Sequence, residues 1–271
     1  MKTILIATDF SPASRNALLY GSALAEAVDA KIILFHAYSL PVSFPALGVS
    51  ISKYGVMKDA EQKVADEAAL VLQDTSAIEI VCEEGDAANA IRNMATEKQA
   101  DLIITGMQGS GKNLKRVFGS TAAALALDTQ VPVLVIPDEV KFSPFDVIAY
   151  AIDANFKGNP DAILELQTFK KIFNSELYLV TVVKNQDEEQ LIVSEMQENK
   201  TSRSEHTSFQ YPVDADISHG LTDFIASHHV NLLAMMPHRH HWATRIFKSS
   251  ETKNMIFHID IPLLVLPELT S

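Results

Sequence analysis

Residues 105–121 read TGMQGSGKNLKRVFGST, and their types suit anion chemistry. Two residues separate Gly106 from Gly109, and nine separate Gly109 from Gly119, which Ser120 and Thr121 follow. Glycine lets a backbone come close to an anion and adopt positive φ. Ser120 and Thr121 open a helical stretch, where free N–H groups and the positive dipole end favour phosphate. Their hydroxyls are further donors. Lys112, Lys115 and Arg116 lie between the glycines and can offset phosphate charge. The segment is neither a Walker A motif nor GxGxxG. Taken alone, the glycines equally suit a flexible surface loop. A second chemical feature is histidine: eight of nine lie beyond residue 140. His238, His240 and His241 sit in PHRHHW, after the apolar run LLAMM. Neutral imidazoles bind zinc, so these three are the candidate metal ligands. There is no neighbouring cysteine and no HExxH, and a polar surface loop or an anion site using Arg239, Arg245 and Lys248 are the alternatives.

The elements that hold these residues are written twice. VPVLVIP ends at Pro137 and IPLLVLP at Pro267, a shift of 130 (267 − 137). The same shift carries Asp86 onto Asp216, Ile91 onto Leu221, Leu102 onto Leu232 and Pro132 onto Pro262. At the start, TILIATDFS resembles DVIAYAIDAN, placing Asp9 against Asp153 at a shift of 144 (153 − 9). Two related domains follow, 1–140 and 141–271, joined near DEVKFSPFD. In the first, apolar strands alternate with helical stretches: KTILIAT, a helix from Pro12 to Val28, KIILFHAY, a helix from Lys58 to Leu72, IEIVCEEG, a helix capped by Asp86, DLIITG, STAAALALD and VPVLVIP. Ser11 is the expected N-cap before Pro12. Strands apolar on both faces indicate a parallel sheet covered by helices. The fold class is α/β: two tandem doubly wound domains, each a mainly parallel five-stranded sheet. Such sheets bind ligands at the carboxyl ends of their strands.

In the second copy the shift of 130 places Met236, Arg239 and Ser249 on the three glycines and Glu251 on Thr121; no glycine occurs from Leu221 to Ser271. A carboxylate at a helix start takes the place of a phosphate. The second half is therefore expected to keep the fold and lack the anion site.

A net charge of −12 without a long basic run disfavours nucleic acid as a partner. No apolar run reaches the roughly 18 residues of a membrane span, and MKTILIATDF reads as a strand rather than a signal peptide. Cys82 is the only cysteine, which excludes an intrachain disulfide and fits a reducing, cytoplasmic setting.

The glycine spacing at the end of a fourth strand, with the acid of ATDFS after the first, resembles the ATP-binding subgroup of the universal stress protein family. The resemblance covers both halves, the full motif only the first. It implies a Rossmann-like fold of the adenine nucleotide alpha hydrolase type and a stress-response regulator binding ATP or AMP, with Mg as an optional companion. The implied contacts are Asp9 and Ala7 at adenosine and Ala37 at adenine, with Thr105, Gly106, Gln108 and Gly109 around ribose and phosphate. Gly119, Ser120 and Thr121 would hold phosphate. Asp9 has an alternative as a cap beside Ser11, and His36 reads as a packed strand-end residue. Gln108 stands where the family often has His, and Ala7 where it often has Pro. Without a paired base, a Walker B acid or an arginine finger, slow ATP hydrolysis is the most the first half offers. A metal-dependent hydrolase and a non-binding dimerisation module are the competing readings. The apolar last strands of the two halves invite pairing as an intramolecular pseudo-dimer, with a homodimer of chains as a further possibility.

Overall fold

The computed structural model describes residues 1–40, 52–73, 75–76, 78–107, 119–128, 130–152, 160–190, 207–236 and 260–267. They fall into two compact units that meet between Phe142 and Ser143. The first unit contains β1 (Thr3–Ala7), α1 (Pro12–Val28), β2 (Lys31–Tyr38), α2 (Lys53–Val71), β3 (Ile78–Glu84), α3 (Ala87–Glu97), β4 (Leu102–Gly106), α4 (Ser120–Leu127) and β5 (Val133–Ile136). Its strands lie in the order β3-β2-β1-β4-β5, all parallel. The second contains β6 (Val147–Ala151), α5 (Pro160–Phe173), β7 (Glu176–Val180), β8 (Thr207–Gln210), α6 (Ile217–Ser227), β9 (Leu232–Met235) and β10 (Leu263–Val265). Its order, β8-β7-β6-β9-β10, repeats that of the first, again all parallel. Each unit is an α/β parallel sheet of five strands with helical crossovers.

The central strands form the cores. Ile4, Leu5 and Ile6 of β1 and Leu102, Ile103 and Ile104 of β4 are fully buried, as are Ile148 and Ala149 of β6 and Leu232 and Leu233 of β9. Burial on both sheet faces needs near-continuous apolar runs, which these strands supply. In the first unit α1 packs with α2, and α3 with α4. The strand order reverses between β1 and β4, the place where such sheets open a crevice.

Helix starts follow local chemistry. The Ser11 hydroxyl accepts the Ser14 N–H with Pro12 next in line, and Asp86 accepts the Asn89 N–H. Asp216, at Asp86 plus 130, accepts the N–H groups of Ser218 and His219. The structure starts α2 at Lys53 rather than Lys58, because the Ser52 hydroxyl caps it by accepting the Gly55 N–H. Cys82 lies inside β3; burial, then the Glu61 carboxylate, raises its thiol to about 11. Asp153 lies outside the described residues. Among the described residues, no helix is long and apolar enough to cross a membrane.

The two units share their pins as well as their strand order. The Asp101 carboxylate accepts the N–H groups of Lys2 and Thr3 at 2.6 and 2.9 Å, while the Thr3 carbonyl accepts the Asp101 N–H. Asn231, at Asp101 plus 130, accepts the Val147 N–H at 3.1 Å and donates its own N–H to the Val147 carbonyl. Gln99 and His229, also 130 apart, both take the left-handed conformation at φ 52. Asp101 thus ties the start of β1 to β4. Asp101→Ala is expected to lower unfolding stability by about 1 kcal/mol, and Asp101→Asn by less, since the amide oxygen still accepts as in Asn231; urea melts of both variants check this.

Candidate functional site

At the carboxyl end of β1 the Thr8 N–H completes the ladder on the Phe35 carbonyl at 2.9 Å, and the chain then turns sharply. Phe10 sits in the left-handed region at φ 65, a conformation that costs a bulky residue roughly 1–3 kcal/mol. Local bonds hold it there. The Phe10 N–H donates to the Thr8 hydroxyl at 3.2 Å and the Ser11 N–H to Asp9 Oδ1 at 3.0 Å. Buried Thr8 and Ser14 share a hydroxyl contact of 3.2 Å. From β2, the His36 ring lies with its centroid 4.5 Å from that of Phe10, and its Nδ1 is 2.8 Å from the Thr8 carbonyl. A carbonyl only accepts, so Nδ1 carries the proton. Asp9 is thereby presented on a built turn. Its local bond to the Ser11 N–H means that capping beside Ser11 coexists with any ligand role.

Gly106 ends β4 against the first turn of α1. A Cβ there would lie 2.5 Å from the carbonyl carbon and oxygen of Ala13 and 3.0 Å from the Ser14 nitrogen. These are backbone atoms with no rotamer to yield. Glycine here allows close contact between strand and helix.

Gly119 precedes α4 with φ −59 and ψ 150, and as a glycine it brings no side-chain cap to the helix. By contrast α1, α2, α3 and α6 each carry a capping Ser or Asp. The first turn of α4 holds no acidic residue. Its N-terminal donors and dipole are left to whatever occupies the space before them.

That space is an open cleft of about 700 Å³ including its mouth. Ala7, Asp9, Ala37, Thr105, Gly106, Gly119, Ser120 and Thr121 all line it. Gln108, Gly109, Lys112, Lys115 and Arg116 lie outside the described residues. Sequence reasoning had not placed Thr8, Ser14, Ala87 and Ile91 in the lining; Ile91 reads as core of an amphipathic helix, and nothing in the pattern marks it as cleft wall. Asp9 is the one charged group among the described lining residues. Partial burial pushes its carboxyl up, but hydrogen bonds from Ser11 and Ser14 outweigh this and hold it below the ordinary carboxylate range.

In the second unit Met236 stands where Gly106 stands in the first, with its side chain buried. The candidate metal ligands His238, His240 and His241 lie outside the described residues, as do Arg239, Arg245, Lys248 and Glu251. His228 is described and packs as an aromatic: it stacks on Phe224 at 3.9 Å and meets Tyr178 edge-on at 5.3 Å.

Comparison with known proteins agrees with this frame. The sequence model described as "Universal stress protein family" matches residues 1–137, just over half of the chain. The chain belongs to the universal stress protein family. Stress response protein NhaX of Bacillus subtilis is 28% identical over 161 residues, spanning 49% of this chain and 96% of that protein. Universal stress protein Rv1636 of Mycobacterium tuberculosis is 28% identical over 147 residues, spanning 50% of this chain and 95% of the relative. The crystal structure of a universal stress protein from Archaeoglobus fulgidus covers 98% of both chains at a TM-score of 0.72 and 18% identity, a likeness of fold. This universal stress protein therefore shares its fold with solved relatives over nearly its full length.

Two tests follow from the geometry. Gly106→Ala is expected to lower stability by about 1–3 kcal/mol, since the new methyl can be relieved only by moving α1 from β4; denaturant unfolding measures it. Because the folded pKa of Asp9 is depressed, its stabilising contribution is complete above the ordinary value near 4 and is lost as pH falls through the folded value. Asp9→Asn should thus lose less stability than the wild type between pH 5 and about pH 2; equal losses in urea midpoints would remove Asp9 from the acid response.

Proposed function

We propose that the cleft of the first unit binds an adenine nucleotide, ATP or AMP, and that its occupancy is the signal this universal stress protein conveys. The observation that carries the reading is the uncapped start of α4, with Gly119, Ser120 and Thr121 on the wall of the cleft. An anion there would accept the N–H bonds that a capping side chain accepts in other helices. Thr105 and Gly106 line the same cleft toward the ribose side of the proposed ligand, and Ala7, Asp9 and Ala37 line its nucleoside end. The glycine spacing from Gly106 to Gly119 and its resemblance to the ATP-binding members of the family support the choice of nucleotide. Gln108 and Gly109 complete the proposed phosphate loop. A magnesium ion accompanying the nucleotide would take most of its ligands from phosphate and water, since Asp9 is the one carboxylate among the described lining residues. That same poverty of acids and bases favours binding over rapid hydrolysis, which needs a positioned base or water-orienting group.

The second half, 141–271, is proposed as a repeat of the first, 1–140, that has kept the frame and given up the nucleotide. Shared strand order and the Asp101 and Asn231 pins support the repeat. Met236 in place of Gly106, together with the lack of glycine from Leu221 to Ser271, supports the loss. Zinc at His238, His240 and His241 stays a proposal of the sequence alone.

Mass spectrometry of small molecules released from the freshly purified full-length chain is expected to detect an adenine nucleotide, and calorimetry to give one ATP per chain. Gly119→Val should abolish that binding, and Asp9→Ala should weaken it by about 1–3 kcal/mol. Unchanged affinity in Gly119→Val would overturn the assignment, and two ATP per chain would overturn the loss in the second half.

A further inference from the structure

His36 does not line the cleft, yet its ring holds the turn that presents Asp9. In a parallel ladder each strand's N–H and carbonyl groups alternate partners along the neighbouring strand. After the Thr8 N–H bonds to the Phe35 carbonyl, the next bond along the ladder would run from the Ala37 N–H to the Thr8 carbonyl. The His36 Nδ1–H takes that carbonyl instead, at 2.8 Å. The ladder between β1 and β2 gives way to a side-chain bond at the level where Ala37 and Asp9 reach the cleft wall. The ring also backs the strained residue of the turn, lying 4.5 Å from Phe10.

The second unit provides the control. Its Ile152 N–H bonds to the Val180 carbonyl as Thr8 does to Phe35, which sets Ile152 against Thr8 and Thr181 against His36. Thr181 is 1% exposed, and its hydroxyl has no hydrogen-bond partner among the described residues. A threonine in the place of His36 keeps a donor but lacks the reach of an imidazole. An orphaned buried hydroxyl is rare because it forfeits its bonds to water, and here it sits where the first unit places its latch. The loss of the latch accompanies the loss of Gly106 in the same unit.

We propose that His36 is the positioning residue of the cleft: its Nδ1–H clasps the Thr8 carbonyl, parting β1 from β2 and fixing the Asp9–Phe10 turn in its ligand-ready form. Only the ligand arm of its test rests on the nucleotide reading above. His36→Leu removes the donor at similar bulk, whereas the side-chain amide of His36→Asn can place an N–H close to that of Nδ1. Calorimetry with ATP on the full chain is expected to show at least tenfold weaker binding in His36→Leu and recovery to within about threefold in His36→Asn. Hydrogen exchange without ligand is expected to show faster exchange at the Phe10, Ser11 and Ser14 amides in His36→Leu and restored protection in His36→Asn. A slowly exchanging imidazole Nδ1–H resonance in the wild type gives a third readout that needs no variant to fold. Wild-type exchange in His36→Leu, or failure of His36→Asn to restore protection, overturns the proposal. Absence of the imidazole resonance from the wild-type spectrum does so as well. Should the wild type bind no ATP, the nucleotide reading fails, and exchange and resonance still decide the latch.

Discussion

The contact between Gly106 and the backbone of Ala13 is the constraint on which the first unit's cleft depends. With no Cβ at the end of β4, the first turn of α1 settles directly on the strand. That approach brings the Thr8, Ser11 and Ser14 hydroxyls into one cluster beneath Asp9. It also seats the start of α1 beside the end of β4, where the strand order reverses. Any side chain at residue 106 would push against peptide atoms, which are far stiffer than a rotamer, and the shift would pass into every bond of the turn. Glycine thus shapes the site through chain-on-chain packing before any ligand enters.

The second unit shows which parts of the design belong to the fold and which to the cleft. Strand order, the acidic cap of the helix before β9 and the side-chain pin at the start of β6 all persist. These features satisfy backbone groups that any such sheet exposes. Two differences among the described residues lie at the carboxyl ends of the strands: Met236 for Gly106 and Thr181 for His36. The pins thus lie at the amino ends of the strands, whereas the cleft residues lie at their carboxyl ends.

Features whose cause is local were legible in the sequence. The strands β1, β4 and β5 read correctly because both of their faces are buried, and Ser11–Pro12 and Asp86 read as caps because capping needs only a few consecutive residues. Eight of the ten residues implied by the family resemblance line one cleft; Gln108 and Gly109 lie outside the described residues. The early start of α2 was hidden by a poor helix-former, Gly55, whose N–H turns out to be the one that Ser52 caps. The left-handed Phe10 and the His36 bond were not legible. Phe10 is held by hydroxyl and carboxylate bonds that its own type does not signal, and the His36 bond joins two strands, which a histidine late in an apolar strand does not announce. The packing role of Gly106 was not legible either, because the backbone that a Cβ would strike belongs to a helix about ninety residues earlier in the chain.

The uncapped helix bears on how a bound nucleotide would be felt by the protein. A missing N-cap side chain typically costs a helix about 1 kcal/mol, and α4 has only eight residues, with buried Ala122, Leu125 and Ala126 on its inner side. Packing of that face holds the helix in place, while the glycine before it offers its first turn no side-chain acceptor. A phosphate accepting those N–H groups would stabilise the turn by an amount comparable to the missing cap or larger, given its charge. The stabilisation would reach α3, which packs on α4 and is tied to it by the bond from Arg92 to the Ala124 carbonyl. Occupancy of the cleft would in this way change the order of helical surface beyond the cleft itself. A partner reading that surface could distinguish loaded from empty protein without any catalytic step.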